Sequence, residues 1–304
     1  MKNRILVVGS VAIDSVSTVC GKVEKALGGS AVYSSIAASL FSPVRLVGVA
    51  GTDFPEKYVR LLKNKKVDVS GLEIVPGKTF FWKGSYDKDF RNAVSHDTQL
   101  NVFETFNPKV SAGNANCEVL FLANIHPVIQ LDVLGQMKNP LITACDTMNY
   151  WISREKKHLL RLLKKIDVLF VNEEEARQLS GQHNLIKAAK LIRAMGPEVL
   201  VIKKGDNGAM LFTGSGIFSM PAYPVVKVAD PTGAGDTFAG GFMGFLASCG
   251  SGWRRTDSLK KAMAHGTVMS SFNVEKFSVS GTCGLKASDV RKRYAGYVGS
   301  LRIC

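Results

Sequence analysis

The chain has 304 residues, of which 46% are hydrophobic and 21% are charged, and it carries a formal net charge of +14. This composition is typical of a globular protein, and the length favours one large α/β domain with a small appended element. No apolar run approaches the roughly 20 residues that a bilayer-spanning helix requires, so no membrane span is expected.

The basic residues are scattered in short groups without interleaved aromatic residues. Nucleic-acid-binding surfaces usually concentrate their positive charge, so we expect a solvated surface and no nucleic-acid partner. The same positive field would attract a polyanionic substrate such as a nucleotide.

The N-terminal residues 1–9 combine basic and apolar side chains but lack a small-residue cleavage site, so they are interpreted as a first strand and not as a signal peptide. The six cysteines are dispersed without a C-x-x-C pair, which predicts reduced thiols and no zinc site. Both observations favour a cytoplasmic protein.

Short apolar runs recur along the chain and predict parallel strands that are buried on both faces. In chain order these runs are Arg4–Val8, Val44–Val49, Val119–Ala123, Leu141–Cys145, Val168–Val171 and Val199–Ile202. Helical patterns lie between or after them, at Ala31–Phe41, Glu56–Lys63, Arg154–Lys165, Glu173–Leu179, Asn184–Met195 and Asp236–Ser248, and loops are expected at Thr213–Ser219 and Ser248–Gly252. The alternation predicts an α/β fold with a doubly wound, mostly parallel sheet flanked by helices, and a ligand site outside the carboxyl ends of the strands.

Two polar and aromatic segments, at about 11–24 and 78–106, interrupt this alternation. The second contains the β-prone stretches Thr79–Tyr86 and Gln99–Phe106. Because both segments leave the carboxyl ends of early strands, we expect them to pair into a small β-flap that forms a lid over the ligand site. The alternative is an edge extension of the main sheet, and in either case residues 1–304 are expected to form a single domain.

Two carboxylates, Asp230 and Asp236, flank the turn Thr232-Gly233-Ala234-Gly235, and an apolar helical stretch follows directly. The turn lacks the ending of a Walker A loop and comes too late in the chain for a dinucleotide fingerprint. Glycines and a helix N-terminus together form an anion-binding hole. A carboxylate beside such a hole is suited to removing a proton from a hydroxyl while the amides hold negative charge, which indicates phosphoryl transfer to an alcohol.

The run Asp230-Pro-Thr-Gly-Ala-Gly-Asp-Thr-Phe-Ala-Gly-Gly-Phe242 resembles a motif of the ribokinase (PfkB-type) family of sugar and nucleoside kinases. Supporting matches occur in the family's order across nearly the whole chain. They are Gly9-Ser-x-x-x-Asp14, Gly28-Gly29, Gly48-x-x-Gly51-x-Asp53-Phe54, Asn172-Glu-Glu-Glu175 and Lys203-Lys-Gly205-x-x-Gly208. The resemblance implies a ribokinase-like fold and an ATP-dependent kinase that uses Mg²⁺.

The resemblance implies that Asp236 is the base that takes the proton from the acceptor hydroxyl. The amides of Gly233, Ala234 and Gly235 would form the anion hole for the transferring phosphoryl group. The ordinary alternative for Asp236 is a capping aspartate at the start of a helix.

On the nucleotide side, the resemblance implies that Asn172 and Glu175 meet the ATP phosphates and a Mg²⁺-bound water, with Glu175 reaching the metal through water. Lys203 and Gly205 would approach the phosphates and ribose of ATP. His265, on the helical segment Ser258–Val268, would lie beside the nucleotide, although a histidine on such a helix is as often a core or surface residue.

On the acceptor side, the resemblance implies that Asp14 binds hydroxyl groups and that Gly28 and Gly29 let the backbone approach the acceptor. Sugar-specific members often place an asparagine a few residues after the glycine pair, whereas this chain has Tyr33, which would stack on the acceptor, hydrogen-bond it, or belong to the core. Asp230 and Thr232 match the family's monovalent cation site, which in many members takes K⁺.

We therefore predict an ATP-dependent kinase that transfers the γ-phosphoryl group to a primary hydroxyl of a sugar or sugar-like molecule. A nucleoside kinase of the same family and a non-catalytic sugar or nucleotide sensor are the alternatives. The exposed edges of the flap strands predict a homodimer that forms through the lid.

Overall fold

The computed structural model describes residues 3–90 and 93–301. Its strands, in chain order, are β1 Ile5–Val8, β2 Ala12–Thr18, β3 Gly21–Gly28, β4 Val44–Gly51, β5 Val67–Val75, β6 Phe80–Tyr86, β7 Ala93–Gln99, β8 Val119–Leu122, β9 Ile142–Asp146, β10 Val168–Asn172, β11 Val199–Lys203, β12 Ala209–Thr213 and β13 Gly216–Met220. Its α-helices are α1 Ser30–Ala38, α2 Glu56–Asn64, α3 Ala112–Ala115, α4 Pro127–Gln136, α5 Asn149–Arg154, α6 Lys156–Leu163, α7 Glu173–Ser180, α8 Leu185–Ala194, α9 Ala234–Ser248, α10 Thr256–Val274, α11 Ser280–Cys283 and α12 Ala287–Ser300.

The main sheet has nine strands in the order β13-β12-β11-β10-β9-β8-β1-β4-β5. All neighbours from β11 to β5 are parallel, and β12 runs antiparallel to both of its neighbours, β11 and β13. Alternate side chains of each central strand enter two separate cores, as Ile5 and Val7 do on one face and Leu6 and Val8 on the other. Helices α1, α9, α10 and α12 cover the first face and α4 to α8 the second, which confirms the predicted doubly wound architecture.

All six predicted strands of the main sheet are present, with bounds that differ by a few residues at most. The expectation of a loop at Thr213–Ser219 was wrong, because most of this segment belongs to the antiparallel hairpin of β12 and β13. The segment Ser248–Gly252 also contains a helical part, since a 3₁₀ helix spans Gly250–Arg254. In both places a high glycine and serine content concealed a short regular element.

The flap strands form a second sheet, here called the lid sheet, in the order β3-β2-β6-β7, with β2 and β6 parallel. The alternative of an edge extension was wrong, because the main sheet contains none of these strands. The β-prone stretch Gln99–Phe106 is mostly a 3₁₀ helix at Asn101–Thr105, and the fourth lid strand precedes it. Residues 91 and 92 of the expected flap lie outside the described residues.

Two side-chain hydrogen bonds fasten the tip of the β2–β3 hairpin to the chain before the glycine turn. The Thr18 hydroxyl donates to the carbonyl of Ala229 at 2.8 Å, and the Cys20 thiol donates to the carbonyl of Val228 at 3.2 Å. The lid sheet is therefore attached directly to the segment that leads into Asp230.

Helices α1 and α9 approach closely because glycines of α9 face small residues of α1. A Cβ added at Gly240 would lie 2.3 Å from the carbonyl oxygen of Ser34, and one added at Gly244 would lie 2.8 Å from the Cα of Ala38. This close packing sets the position of the first turn of α9, which carries Asp236.

Within the described ranges, no helix is both long and apolar enough to cross a membrane. The described cysteines, Cys20, Cys117, Cys145, Cys249 and Cys283, are free thiols as predicted, and Cys304 lies outside the described residues.

Candidate active site

The glycine turn forms the N-terminus of α9. Gly233 is the N-cap residue and takes a left-handed conformation, with φ 71°, that favours glycine. Its carbonyl accepts the amide of Thr237 at 2.8 Å, and the Ala234 amide donates to the carbonyl of Pro231 at 3.1 Å. Of the three amides predicted for the anion hole, that of Ala234 is therefore already used. The amides of Gly233, Gly235 and Asp236 have no acceptor among the described residues, so these three are free to bind an anion.

Asp230 holds the turn in shape from a fully buried position. One of its carboxylate oxygens accepts the Thr232 amide at 2.9 Å, and the other accepts the Ser278 amide at 2.9 Å. The side-chain amide of Asn273 donates to the Thr232 carbonyl at 2.8 Å and accepts the Thr237 hydroxyl at 3.2 Å. Asp230 and Thr232, the candidate cation ligands, thus lie together in a network with Asn273 and Ser278.

The Asp236 carboxylate lies in the first turn of α9, beside the free amides. Burial and, to a lesser extent, the nearby Asp146 raise its pKa to about 7, against the opposing effect of the Lys203 ammonium. A carboxyl group with a pKa near neutrality is suited to general base catalysis, because it can take and release a proton near physiological pH.

The acceptor side of the site is built by β2, β3 and the start of α1. The Asp14 carboxylate is buried and lies directly over Gly28, where an added Cβ would be 1.8 Å from its Oδ2. Gly29 has φ 100°, and a Cβ there would lie 2.4 Å from the carbonyl oxygen of Ser10. Both glycines are therefore required by close approach.

The Asp14 carboxylate has no hydrogen-bond partner among the described residues, and burial, together with the nearby Asp230 and Asp236, raises its pKa to about 8. A buried carboxyl group without a partner is costly for the folded protein. The candidate acceptor carboxylate and the candidate base therefore belong to one acidic cluster.

Tyr33 connects the acceptor side to the anion hole. Its ring packs flat against Gly233, because a Cβ added there would lie 2.5 Å from three ring atoms. The Tyr33 hydroxyl is buried and has no hydrogen-bond partner in the described part of the chain. Asp14, Asp230 and Asp236 are near enough to raise the pKa of this hydroxyl, in addition to its burial. Tyr33 is therefore a core residue, as one of the alternatives predicted, and it also borders the candidate site.

Lys203, the last residue of β11, reaches the anion hole from the opposite side. Its Nζ lies 2.7 Å from Oδ2 of Asp146, and a Cβ added at Gly235 would lie 3.2 Å from Nζ. Asp146 is the last residue of β9, and the sequence pattern did not identify it as the partner of Lys203. The signal was available in principle, since the carboxyl ends of neighbouring parallel strands meet at one edge of the sheet.

Asn172 and Glu175 form a reciprocal capping box at the start of α7. The Asn172 side chain accepts the Glu175 amide at 2.8 Å, and Glu175 Oε2 accepts the Asn172 amide at 2.7 Å. Glu175 is buried, and burial raises its pKa to about 7, while Lys203 opposes the shift. The capping box explains the spacing of this pair, and it leaves Oε1 of Glu175 without a partner among the described residues.

Two further predicted nucleotide contacts differ in their surroundings. Gly205 has φ 57°, and a Cβ there would meet open space, so this turn is accessible to a ligand. The His265 ring lies between the rings of Phe245 and Tyr294, at centroid distances of 4.5 and 4.0 Å, and contacts the Phe41 edge. Burial lowers the pKa of His265 to about 4. His265 therefore packs among aromatic rings that are separate from the acidic cluster, and a contact with the nucleotide stays a prediction.

The lid sheet contributes Tyr86 and Trp82 to the site. The Tyr86 hydroxyl lies 3.5 Å from the Thr232 hydroxyl, and Trp82 is the register partner of Asp14, which places both side chains on one face of the sheet. The sequence predicted both residues in the flap, within Thr79–Tyr86, but did not predict these partners.

The comparison with known proteins agrees with this geometry. Residues 2–283 match the model of the pfkB family carbohydrate kinases. The chain is 30% identical to a cytidine kinase of Thermococcus kodakarensis over 247 residues, which cover 79% of this chain and 87% of that protein. It is 26% identical to a nucleoside kinase of Methanocaldococcus jannaschii over 266 residues, with 83% and 80% covered.

Solved structures show the same fold. A nucleoside kinase of Burkholderia thailandensis, in complex with inosine, superposes with a TM-score of 0.79 at 18% identity and covers 97% of this chain and 98% of that one. The aminoimidazole riboside kinase of Salmonella enterica gives a TM-score of 0.76 at 19% identity, with 96% and 100% covered. The chain therefore belongs to the pfkB family of carbohydrate kinases, whose members are phosphotransferases that act on hydroxyl groups.

Proposed function

We propose that the protein transfers the γ-phosphoryl group of ATP, with Mg²⁺, to the primary hydroxyl of a nucleoside. The observation that supports this proposal is the position of Asp236 in the first turn of α9, next to the free amides of Gly233 and Gly235 and near enough to the buried Asp14 to raise the pKa of that carboxyl group. We propose that these groups are the base, the anion hole and the acceptor-binding carboxylate of one site.

In the proposed reaction, the oxygen of the acceptor hydroxyl bonds to the γ-phosphorus while Asp236 takes the proton of that hydroxyl. The bond from phosphorus to the bridging oxygen breaks, and its electron pair leaves with ADP. The free amides of the turn and the Lys203 ammonium hold the negative charge on the transferring group, as expected for a loose transition state. Closure of the lid sheet, through contacts such as Tyr86 with Thr232, would exclude water and limit hydrolysis of ATP.

Asn172, Glu175, Lys203 and Gly205 are proposed to hold the phosphates and the metal. Glu175 is buried and its Oε1 has no partner among the described residues, so it could reach a divalent cation through a water that the metal keeps. When bound, Mg²⁺ neutralises phosphate charge.

The choice of a nucleoside as acceptor rests on an aromatic surface that hydrogen bonds connect to Ser30, the residue after the glycine pair. The Ser30 hydroxyl donates to the Asn124 carbonyl at 3.2 Å, and the Asn124 side chain accepts the Trp151 indole N–H at 3.0 Å. Tyr150 packs edge-on against Trp151 and is 54% exposed. Stacking on such rings would bind a base. The similarity to proteins named cytidine kinase and nucleoside kinase supports the same choice.

A panel of acceptors tests the proposal. We would measure ADP release with cytidine, uridine, adenosine and inosine, and with ribose and fructose as free sugars. We expect a kcat/KM for at least one nucleoside that exceeds that of every free sugar by about tenfold or more. Turnover of free sugars without turnover of nucleosides would overturn the choice of acceptor.

A matched pair of variants tests the aromatic surface. Tyr150→Ala should raise the KM of the nucleoside by about three- to tenfold and leave the KM of ATP unchanged, because an aromatic pair contributes about 0.5–1.5 kcal/mol. Ile217→Ala is the control, since Ile217 is similarly exposed on β13. Equal KM values in the two variants would remove Tyr150 from the acceptor site.

A monovalent cation beside the turn is the remaining part of the proposal. Asp230 and Thr232 lie together there, and bound K⁺ would add positive charge next to the anion hole. Turnover in K⁺ and in Na⁺ at equal ionic strength should then differ, and equal rates in both would contradict a specific site.

A further inference from the structure

The ion pair of Asp146 and Lys203 spans the carboxyl edge of the main sheet. β10 lies between the two strands that carry the pair, so the lysine side chain extends across its end to reach the carboxylate. The side chains are almost fully buried, with 2% of Asp146 and 17% of Lys203 exposed. The ammonium therefore lies at a fixed place beside Gly235.

Asp146 is itself firmly held. Its Oδ1 accepts the Thr147 amide at 2.9 Å, and its Oδ2 accepts Lys203. Its backbone carbonyl accepts the side-chain amide of the fully buried Gln130 at 3.1 Å. A carboxylate with these restraints can fix the end of a flexible lysine, whose four-carbon stem has several rotamers.

Without Asp146, the ammonium would have two other carboxylates to approach. Glu175 and Asp236 both lie near enough to interact with Lys203. An ion pair of Lys203 with Asp236 would turn the ammonium toward the proposed base and away from the open part of the anion hole. Asp146 is the one carboxylate of the three that hydrogen-bonds Nζ.

A purely structural role explains the pair poorly. The free-energy cost of removing two charges from water often exceeds the gain from their mutual attraction. Replacement of a buried ion pair by apolar residues of similar volume is therefore commonly neutral or stabilising. The position of this buried pair against the turn at Gly235 therefore indicates that the pair has a role in function.

We propose that Asp146 is a positioning residue, which holds the Lys203 ammonium at the mouth of the anion hole so that it donates to an oxygen of the transferring phosphoryl group. This inference rests on the proposed kinase function. Lys203 is then a catalytic residue in the transfer, and Asp146 acts only through it.

Single and double variants test this inference. We expect Asp146→Asn to lower kcat by about 10- to 100-fold, with little change in the KM of the acceptor, since this is the range for an outer partner of a functional group. Lys203→Met should lower kcat by about 100-fold or more. The double variant should be no slower than Lys203→Met, because Asp146 has no role once the lysine is absent.

Asp167→Asn is the matched control. Asp167 lies beside β10 at the opposite, amino-terminal edge of the same strands, where its Oδ2 accepts the amide and the hydroxyl of Thr143. The control should keep the wild-type kcat. If Asp146→Asn fails to fold, the apolar pair Asp146→Leu with Lys203→Met removes both charges together, and its kcat should match that of Lys203→Met.

A binding measurement separates this inference from the proposed function. The ratio of ATP to ADP affinity, measured by calorimetry, should fall in Asp146→Asn and Lys203→Met because both alter a contact with the γ-phosphate. Additive losses in kcat, or an unchanged kcat and affinity ratio in Asp146→Asn, would overturn the role of Asp146. Absence of turnover on every acceptor by the wild-type protein, with the affinity ratio still lowered in both variants, would overturn the proposed acceptor and leave the positioning role standing.

Discussion

Asp236 is the residue on which the proposed chemistry most directly depends. Asp236→Asn keeps the size of the side chain and removes its ability to take a proton, so kcat should fall by about 10²- to 10⁴-fold while ATP still binds. Turnover is followed by ADP release and binding by calorimetry. A variant that retains turnover would contradict the assignment of the base.

The same residue predicts how the rate depends on pH. A base acts in its ionised form, and the pKa of Asp236 is raised to about 7. We therefore expect kcat to rise with pH below about 7 and to level off above it, whereas an ordinary aspartate would give a plateau from about pH 5 upward.

Asp14 predicts a pH dependence of stability. Its pKa is about 8 in the folded protein and about 3.9 in an unfolded chain, so the folded state holds the proton more tightly between these values. The contribution of Asp14 to the free energy of unfolding is therefore fully present below about pH 4 and is lost as the pH rises through 8. Asp14→Asn removes this loss and should raise the free energy of unfolding at pH 9 by about 1 kcal/mol or more.

Urea denaturation at pH 5 and pH 9 measures this difference. The exposed Asp89 provides the control, because Asp89→Asn should leave the stability of both states nearly unchanged. If Asp14→Asn has the pH dependence of the wild-type protein, the carboxyl group does not titrate as described.

At the scale of elements, the contact between α1 and α9 joins the acceptor residues to the base. Gly240→Ala would bring a methyl group to 2.3 Å from the carbonyl oxygen of Ser34, so the helices must separate. We expect a loss of about 1–3 kcal/mol in the free energy of unfolding and a lower kcat, because α9 carries Asp236.

Gly296→Ala in α12 provides the comparison, since a Cβ there meets nothing within 4 Å. This change should stabilise the helix by about 0.5–1 kcal/mol, as glycine is a poor helix former. Equal effects of the two substitutions in chemical denaturation would show that the contact of α1 and α9 is not tight.

The elements that could be predicted from the sequence are those with a clear hydrophobic or aromatic pattern. The strands from β1 to β11 that are buried on both faces carry continuous apolar runs, so the sequence was sufficient to predict six of them. The hairpin β12–β13 was missed because its glycine- and serine-rich turn dominates a short window. The lid sheet was predicted from aromatic and β-prone residues, but β7, with its polar sequence Ala93–Gln99, carries no comparable signal.

At the scale of the whole molecule, the motif order was enough to predict the family and the general position of the site. Contacts between distant segments were not predictable. The pair of Asp146 and Lys203 joins residues 57 positions apart, and the ring of Tyr33 meets Gly233 across two helices. Such contacts depend on strand order and helix packing, which one sequence specifies only through the complete fold.

The lid sheet also predicts the oligomeric state. Among the described residues β7 pairs only with β6, so one of its edges is unpaired there, and Val94 on this strand is 56% exposed. We expect a homodimer in which two lid sheets pair, measured as molar mass by light scattering, and Val94→Lys should shift it toward the monomer. A monomeric wild-type protein would contradict this expectation.

The contact of Tyr33 with Gly233 has a consequence for changes of substrate preference. One face of a single ring borders the turn that carries the free amides, while the hydroxyl of the same ring lies among the acceptor-side carboxylates. A smaller residue at position 33 would enlarge the space for the acceptor and also remove the support behind the turn. A substitution of Tyr33 that changes the preferred acceptor should therefore also lower kcat, unless a second substitution restores the packing against Gly233.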